Sequence, residues 1–121
     1  MRKKALVIDD NANNLLLEKD LLEVAGFEVF EAENAAVGIA VARKEKPDII
    51  IMDVRLPDMR GSDAARVLRQ DKKTSGIPIV FVTASVMVEG REEIKHITNS
   101  GFISKPINTR TFATEISQFI K

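Results

Sequence analysis

Four places in this chain put a reactive side chain directly after a run of apolar residues. Asp9-Asp10 follows Ala5-Leu6-Val7-Ile8, Asp53 follows Ile49-Ile50-Ile51-Met52, Thr83 follows Ile79-Val80-Phe81-Val82, and Ser104-Lys105 follows Phe102-Ile103. Were the first and third runs neighbouring strands, three carboxylates would crowd one small volume. Like charges held that close resist full ionisation unless a cation joins them. A hard, oxygen-liganded divalent ion such as Mg²⁺ resolves that conflict. Each residue alone has a duller explanation. An Asp pair after a strand caps helices, Asp before a proline loop starts turns, and an isolated lysine is usually solvated. The functional reading rests on all four sites standing at the same end of their strands.

That condition is a statement about the elements. The continuous apolar runs read as strands buried on both faces. Glu28-Val29-Phe30-Glu31-Ala32 alternates and reads as a half-exposed strand near a sheet edge. Between them the apolar positions recur at helical spacing. The first helix carries Leu15, Leu17, Leu21, Leu22 and Val24-Ala25, with Gly26 at its left-handed end. Asn34 caps a second helix with Val37, Ala40, Val41 and Lys44 on one face, closed by Lys46-Pro47. A loop with Pro57 and Gly61 leads to a third helix through Ala64, Val67, Leu68 and Asp71. A weaker helix around Glu92 to Ile97 is expected to be the most mobile or most exposed of the helices. Asn108 is expected to cap the last, whose inner face is Phe112, Ile116, Phe119 and Ile120. Five alternations of strand and helix imply an α/β domain with a parallel sheet covered on both sides, and functional groups in such sheets gather beyond the carboxyl ends of the strands.

Composition narrows the classes. The 121 residues suit one domain, 1–121, with no internal repeat or linker. Lys plus Arg and Asp plus Glu balance at 18 each, so no global field recruits nucleic acid or anionic membrane. Cysteine is absent, which excludes disulfides, thiolate metal sites and thiol catalysis. No apolar run is long enough for a membrane span, and a cytoplasmic location is expected.

In this order and at these intervals the motifs resemble the receiver domain of two-component response regulators. The acidic pair Asp9-Asp10, Asp53 with Leu56-Pro57, Met59 and Gly61, Thr83-Ala84, Phe102 and Lys105-Pro106 carry the resemblance. It implies a doubly wound, five-stranded parallel sheet of flavodoxin-like order 2-1-3-4-5. It implies that Asp53 takes a phosphoryl group from a phosphohistidine on a sensor histidine kinase or histidine phosphotransfer protein. Asp10, Asp53 and the backbone carbonyl of Arg55 would hold Mg²⁺, and Asp9 would act through a coordinated water. Lys105 and the Thr83 hydroxyl would contact the phosphoryl oxygens, and the Lys105-Pro106 bond would be cis. Thr83 and Phe102 would form the switch, Phe102 turning inward by packing alone (the bland alternative is an ordinary core aromatic). The output would be altered binding to a downstream protein, as a monomer or a phosphorylation-dependent dimer, with no turnover of an external substrate.

The chain also varies the pattern. Arg55 and Ser85 stand two residues beyond Asp53 and Thr83, where the family tunes phosphoryl lifetime, and an arginine at 55 leads us to expect a long-lived aspartyl phosphate. Arg60 replaces a small polar residue, with little expected effect. Ile97-Thr98-Asn99-Ser100-Gly101 lacks the usual Ala-Gly pair, so Asn99 is expected to be left-handed. His96, the only histidine, is expected to be exposed and to play no phosphodonor role. Rival readings are a degenerate receiver that works as an unphosphorylated interaction module, a haloacid-dehalogenase-type phosphohydrolase, and a flavodoxin-like electron carrier. The second resembles an Asp-x-Asp signature at the nucleophile, where this chain has Arg55. The third needs a phosphate-cradling loop after the first strand, where this chain has Asp9-Asp10-Asn11.

Overall fold

The three central strands form where β-branched and other apolar residues run without interruption, and each runs up to a polar residue. In a computed structural model that describes residues 2–83 and 94–120, β1 is Lys4–Ile8, β2 Glu28–Ala32, β3 Ile49–Asp53, β4 Ile79–Thr83 and β5 Ser100–Ser104. All neighbours pair in parallel, in the order β2-β1-β3-β4-β5. The edge position of β2 leaves its Glu28 and Glu31 exposed, and the central strands are buried on both faces as their apolar runs require. Helices α1 (Ala12–Val24), α2 (Ala35–Glu45), α3 (Gly61–Gln70) and α4 (Phe112–Gln118) complete the described secondary structure, with residues 94 and 95 also helical.

Side chains alternate across each strand, so the sheet divides the core in two. Leu6, Ile8, Ile50, Met52, Ile79 and Phe81 pack on one face, where α2 and α3 contribute Ala35, Ala42, Ala64, Ala65 and Leu68. Ala5, Val7, Ile49, Ile51, Val80 and Val82 pack on the other, against Leu15 and Leu22 of α1 and Phe112 and Ile116 of α4. Each fully buried Val, Leu, Ile, Phe or Met among them contributes about 1.5–3 kcal/mol.

The helix faces differ from those the sequence suggested. On α1 the buried line is Leu15, Glu18 and Leu22, whereas Leu17 and Val24 are exposed, Val24 at 89%. On α2 the sheet side is Ala35, Gly38 and Ala42, and Val37 points outward at 46% exposure. The cause is distance. A Cβ on Gly38 would lie 2.3 Å from Ile8 Cδ1, so only the smallest residues fit beneath α2. Val67 on α3 is likewise exposed while Ala64, Ala65 and Leu68 are buried. Of the segment expected to be weakly helical, residues 92 and 93 lie outside the described residues; Ile94 and Ile97 are buried in the α2–α3 side of the core, while Lys95 and His96 are exposed, His96 as expected.

Helix ends follow local chemistry. Asn34 caps α2 by accepting from the Val37 N–H at 2.8 Å, and Lys46 closes that helix in the left-handed region at φ 48°. Gly26 closes α1 at φ 101° and Asn99 is left-handed at φ 54°. Asn108 does not cap α4. Its side chain accepts from the Arg110 N–H, forming a turn that precedes the true cap residue, Thr111. Among the described residues no helix is long and apolar enough to cross a membrane.

Candidate functional site

Register brings the site together. Ile8 of β1 pairs with Met52 of β3, so the next residue on each strand, Asp9 and Asp53, emerges side by side. Across the sheet Asp53 pairs with Val82, and Thr83 with Ser104, which delivers Lys105 to the same end. The Lys105 N–H donates to the Thr83 carbonyl at 2.7 Å, and the Lys105-Pro106 bond is cis. Carboxylate oxygens of Asp9, Asp10 and Asp53 all lie within 4.8 Å of one another. Asp9 is buried, Asp53 half-buried and Asp10 exposed.

Lys105 Nζ lies 3.3 Å from Asp9 Oδ2 and 3.4 Å from Asp53 Oδ2, a single cation facing two of the three carboxylates. Asp9 Oδ1 accepts from the Asn11 N–H at 2.9 Å, turning the chain toward α1, and Asn11 then caps that helix. Asp53 Oδ1 accepts from the Arg55 N–H at 3.3 Å. Burial raises the Asp53 carboxyl above its ordinary range; the Arg55 N–H and Lys105 pull it back, and Asp9 pushes it further up. Burial also works against the charge on Lys105, but Asp53, Asp9 and Glu18 outweigh it and hold the ammonium above its usual value. With three carboxylates against one lysine, the pocket keeps a surplus of negative oxygen donors, and among the described residues the candidate ligand group is all carboxylate. That donor set suits Mg²⁺.

The loop after Asp53 returns tightly on itself. Arg55 and Arg60 form an antiparallel bridge, and the Gly61 N–H donates to the Val54 carbonyl at 2.6 Å. A Cβ on Gly61 would sit 2.5 Å from the Asp53 carbonyl oxygen, so the loop closes over the Asp53 backbone only with glycine there. The Arg55 side chain is exposed beside the pocket.

Of the sequence-derived site residues, Asp9, Asp10, Asp53 and Lys105 converge, Arg55 borders them, and Thr83 is buried at the adjoining strand end. Phe102 is 38% exposed on β5, opposite Phe81 in the register, so it is not a core aromatic here. Ser85 lies outside the described residues. Two residues escaped the sequence reading. Glu18 on α1 is only 3% exposed and lines, with Lys105 and Pro106, a cavity of about 430 Å³ beside the acidic cluster. Burial, then Asp9 and Asp53, push its carboxyl up to about 7 against the pull of Lys105. Its position three residues after Leu15 and four before Leu22 was a usable signal. The other is Asp58, whose carboxylate reaches the first turn of α2. No local pattern marks it, because its partners lie more than twenty residues away.

A five-stranded parallel sheet in this order, with carboxylates and a lysine at its carboxyl edge, defines a doubly wound, CheY-like α/β fold. Residues 5–117 match the family model of the response regulator receiver domain. The polar-differentiation response regulator DivK of Brucella anthropi is 32% identical over 120 residues, covering 99% of this chain and 98% of that protein. The chemotaxis response regulator CheY4 of Vibrio cholerae superposes with a TM-score of 0.92 at 28% identity, covering 99% of this chain and 100% of that one. A CheY-like receiver domain protein from Methanospirillum hungatei gives 0.90 at 27% identity, covering 98% and 93%. The chain therefore belongs to the response regulator receiver domain family, the phosphoacceptor switches of two-component signalling, which are not enzymes of substrate turnover. Receiver domains generally bind Mg²⁺ at an aspartate cluster and work between a histidine kinase or phosphotransfer partner and a downstream target.

Proposed function

We propose that Asp53 is the phosphoacceptor of a single receiver domain spanning residues 1–121. The observation that carries this reading is Lys105 Nζ set between Asp9 and Asp53 at 3.3 and 3.4 Å, beside a third carboxylate. An Asp53 oxygen attacks the phosphorus of a phosphohistidine on a sensor histidine kinase or histidine phosphotransfer protein. The P–N bond breaks, its electron pair stays on the imidazole nitrogen, and that nitrogen takes a proton from solvent. Only ionised Asp53 can attack, so Lys105 and the Arg55 N–H, which oppose the effect of burial on this carboxyl, keep the nucleophile ready.

Asp10, Asp53 and the Arg55 carbonyl would hold Mg²⁺, and Asp9 would act through a water. When bound, the ion neutralises charge spreading over the phosphoryl oxygens. Lys105 exchanges its contact with Asp53 for one with the phosphoryl group, and the Thr83 hydroxyl donates to another oxygen. Thr83 and Phe102 transmit the change to a downstream protein, whether the domain is a monomer or dimerises on phosphorylation. The exposed position of Phe102 supports an outward, resting arrangement. Arg55 and Ser85 set how long the acyl phosphate survives, and the domain catalyses its own phosphorylation and hydrolysis. The setting is cytoplasmic, with no nucleic-acid or membrane partner.

The test is intact-mass analysis after incubation with acetyl phosphate, with and without Mg²⁺, alongside Asp53→Asn. One phosphoryl group gained only with Mg²⁺ and lost in the variant supports the reading. Equal labelling of Asp53→Asn contradicts it.

A further inference from the structure

The hairpin that carries Arg55 is anchored at its tip by a side chain that the phosphoacceptor reading does not use. Its neck is closed by the Arg55–Arg60 bridge and the 2.6 Å bond from the Gly61 N–H to the Val54 carbonyl. At the tip, Asp58 Oδ1 accepts from the Ala35 N–H and Oδ2 from the Ala36 N–H, each at 2.9 Å. The next two N–H groups of α2, those of Val37 and Gly38, go to the side-chain and backbone oxygens of Asn34. The Gly38 bond is the helix's first intrahelical one, so of the orphan N–H groups of Ala35, Ala36 and Val37 the helix's own cap takes one and the Asp58 carboxylate takes two. The backbone N–H bonds from Ala35 and Ala36 hold the Asp58 carboxyl below the usual carboxylate range, so it stays charged at the positive end of the helix.

We propose that Asp58 is a positioning residue for the metal site: by clamping the 54–60 hairpin to α2, it fixes the Arg55 backbone carbonyl relative to Asp10 and Asp53. This rests on the metal assignment made above. The Asn34 side chain takes only the Val37 N–H, and the Ala35 and Ala36 N–H groups are what tie the hairpin tip to α2. With the tip released, the hairpin keeps its neck and the packing of Val54, Leu56 and Met59 against the core but loses its two bonds to α2, which loosens the Arg55 carbonyl. Groups that orient metal ligands from outside the coordination sphere commonly change affinity by about tenfold or more.

Isothermal titration with MgCl₂ on the full chain tests this, using wild type, Asp58→Ala, Asp58→Asn and Asn34→Ala, each checked for folding by thermal melt. Asp58→Ala is expected to weaken Mg²⁺ binding about tenfold, with Asp58→Asn, which keeps one acceptor oxygen, in between. Asn34→Ala removes a cap from the same helix but leaves the hairpin anchored, so it should lower the melting temperature with Mg²⁺ affinity unchanged. Wild-type affinity in Asp58→Ala, or an equal loss in Asn34→Ala, overturns the proposal. A folded wild type that takes up no Mg²⁺ overturns the metal assignment itself, and this proposal with it.

Discussion

Glu18 occupies a core position of α1 between Leu15 and Leu22, and the fold holds its carboxyl at about 7 against 4.5 for the free group. Between those values the unfolded chain has released the proton while the folded chain keeps it. The folded state therefore binds more protons, and stability falls as pH rises through the window. The rise from 4.5 to about 7 corresponds to about 3 kcal/mol, fully developed above the upper value. Glu18→Gln keeps the shape and removes the titration. Urea unfolding of both proteins, without divalent cations, at pH 4.5, 6 and 8 should show the gap between them moving by about 3 kcal/mol in the variant's favour from the lowest to the highest pH. Asp53 also sits above its ordinary value and titrates in the same direction, but it is present in both proteins and largely cancels. Any fixed cost of burying the amide shifts the whole curve without changing its slope. Parallel profiles for the two proteins would refute the reasoning, since a carboxyl that titrates alike folded and unfolded cannot be desolvated as described.

Three further outcomes follow from the same geometry. Gly61→Ala drives a Cβ to 2.5 Å from the Asp53 carbonyl oxygen, so it should cost about 1–3 kcal/mol in urea unfolding and also slow acetyl phosphate labelling. Arg55→Ala should shorten the acyl phosphate lifetime about two- to fivefold, the effect of losing one exposed charge contact of at most ~1 kcal/mol, as followed by decay of the phosphorylated mass; a sharp lengthening would contradict it. Leu22→Ala should lose about 2–5 kcal/mol, whereas Val24→Ser, on the exposed side of the same helix, should stay within about 0.5 kcal/mol.

Strand positions and the acidic pocket were legible because each central strand is a continuous apolar run that stops at a functional residue. Asp9, Asp53, Thr83 and Lys105 needed only the strand order to converge, and the family resemblance supplied that order. Helix faces were less legible. Val37 and Leu17 look like core residues by hydrophobicity, yet α2 lies so close to Ile8 that alanine and glycine are what fit, and α1 turns Glu18 inward beside Leu15 and Leu22. Hydropathy ranks side chains by solvent preference, whereas the distance between helix and sheet sets which sizes can enter. Asp58 was invisible for another reason. Its bonds to Ala35 and Ala36 depend on two loops meeting in space, which no local pattern encodes. Asn108 has the composition of a cap, but its oxygen is used by Arg110 one turn too early.

The central claim is that one carboxylate, Asp53, becomes an acyl phosphate. Borohydride reduces an acyl phosphate to the alcohol, converting the phosphorylated aspartate to homoserine and marking its position permanently. The protein would be phosphorylated by acetyl phosphate in Mg²⁺, reduced, digested and sequenced by tandem mass spectrometry. The account predicts homoserine at position 53, with Asp9 and Asp10 unchanged and no conversion when Mg²⁺ is chelated. Homoserine at position 9 or 10 with Asp53 intact would contradict it.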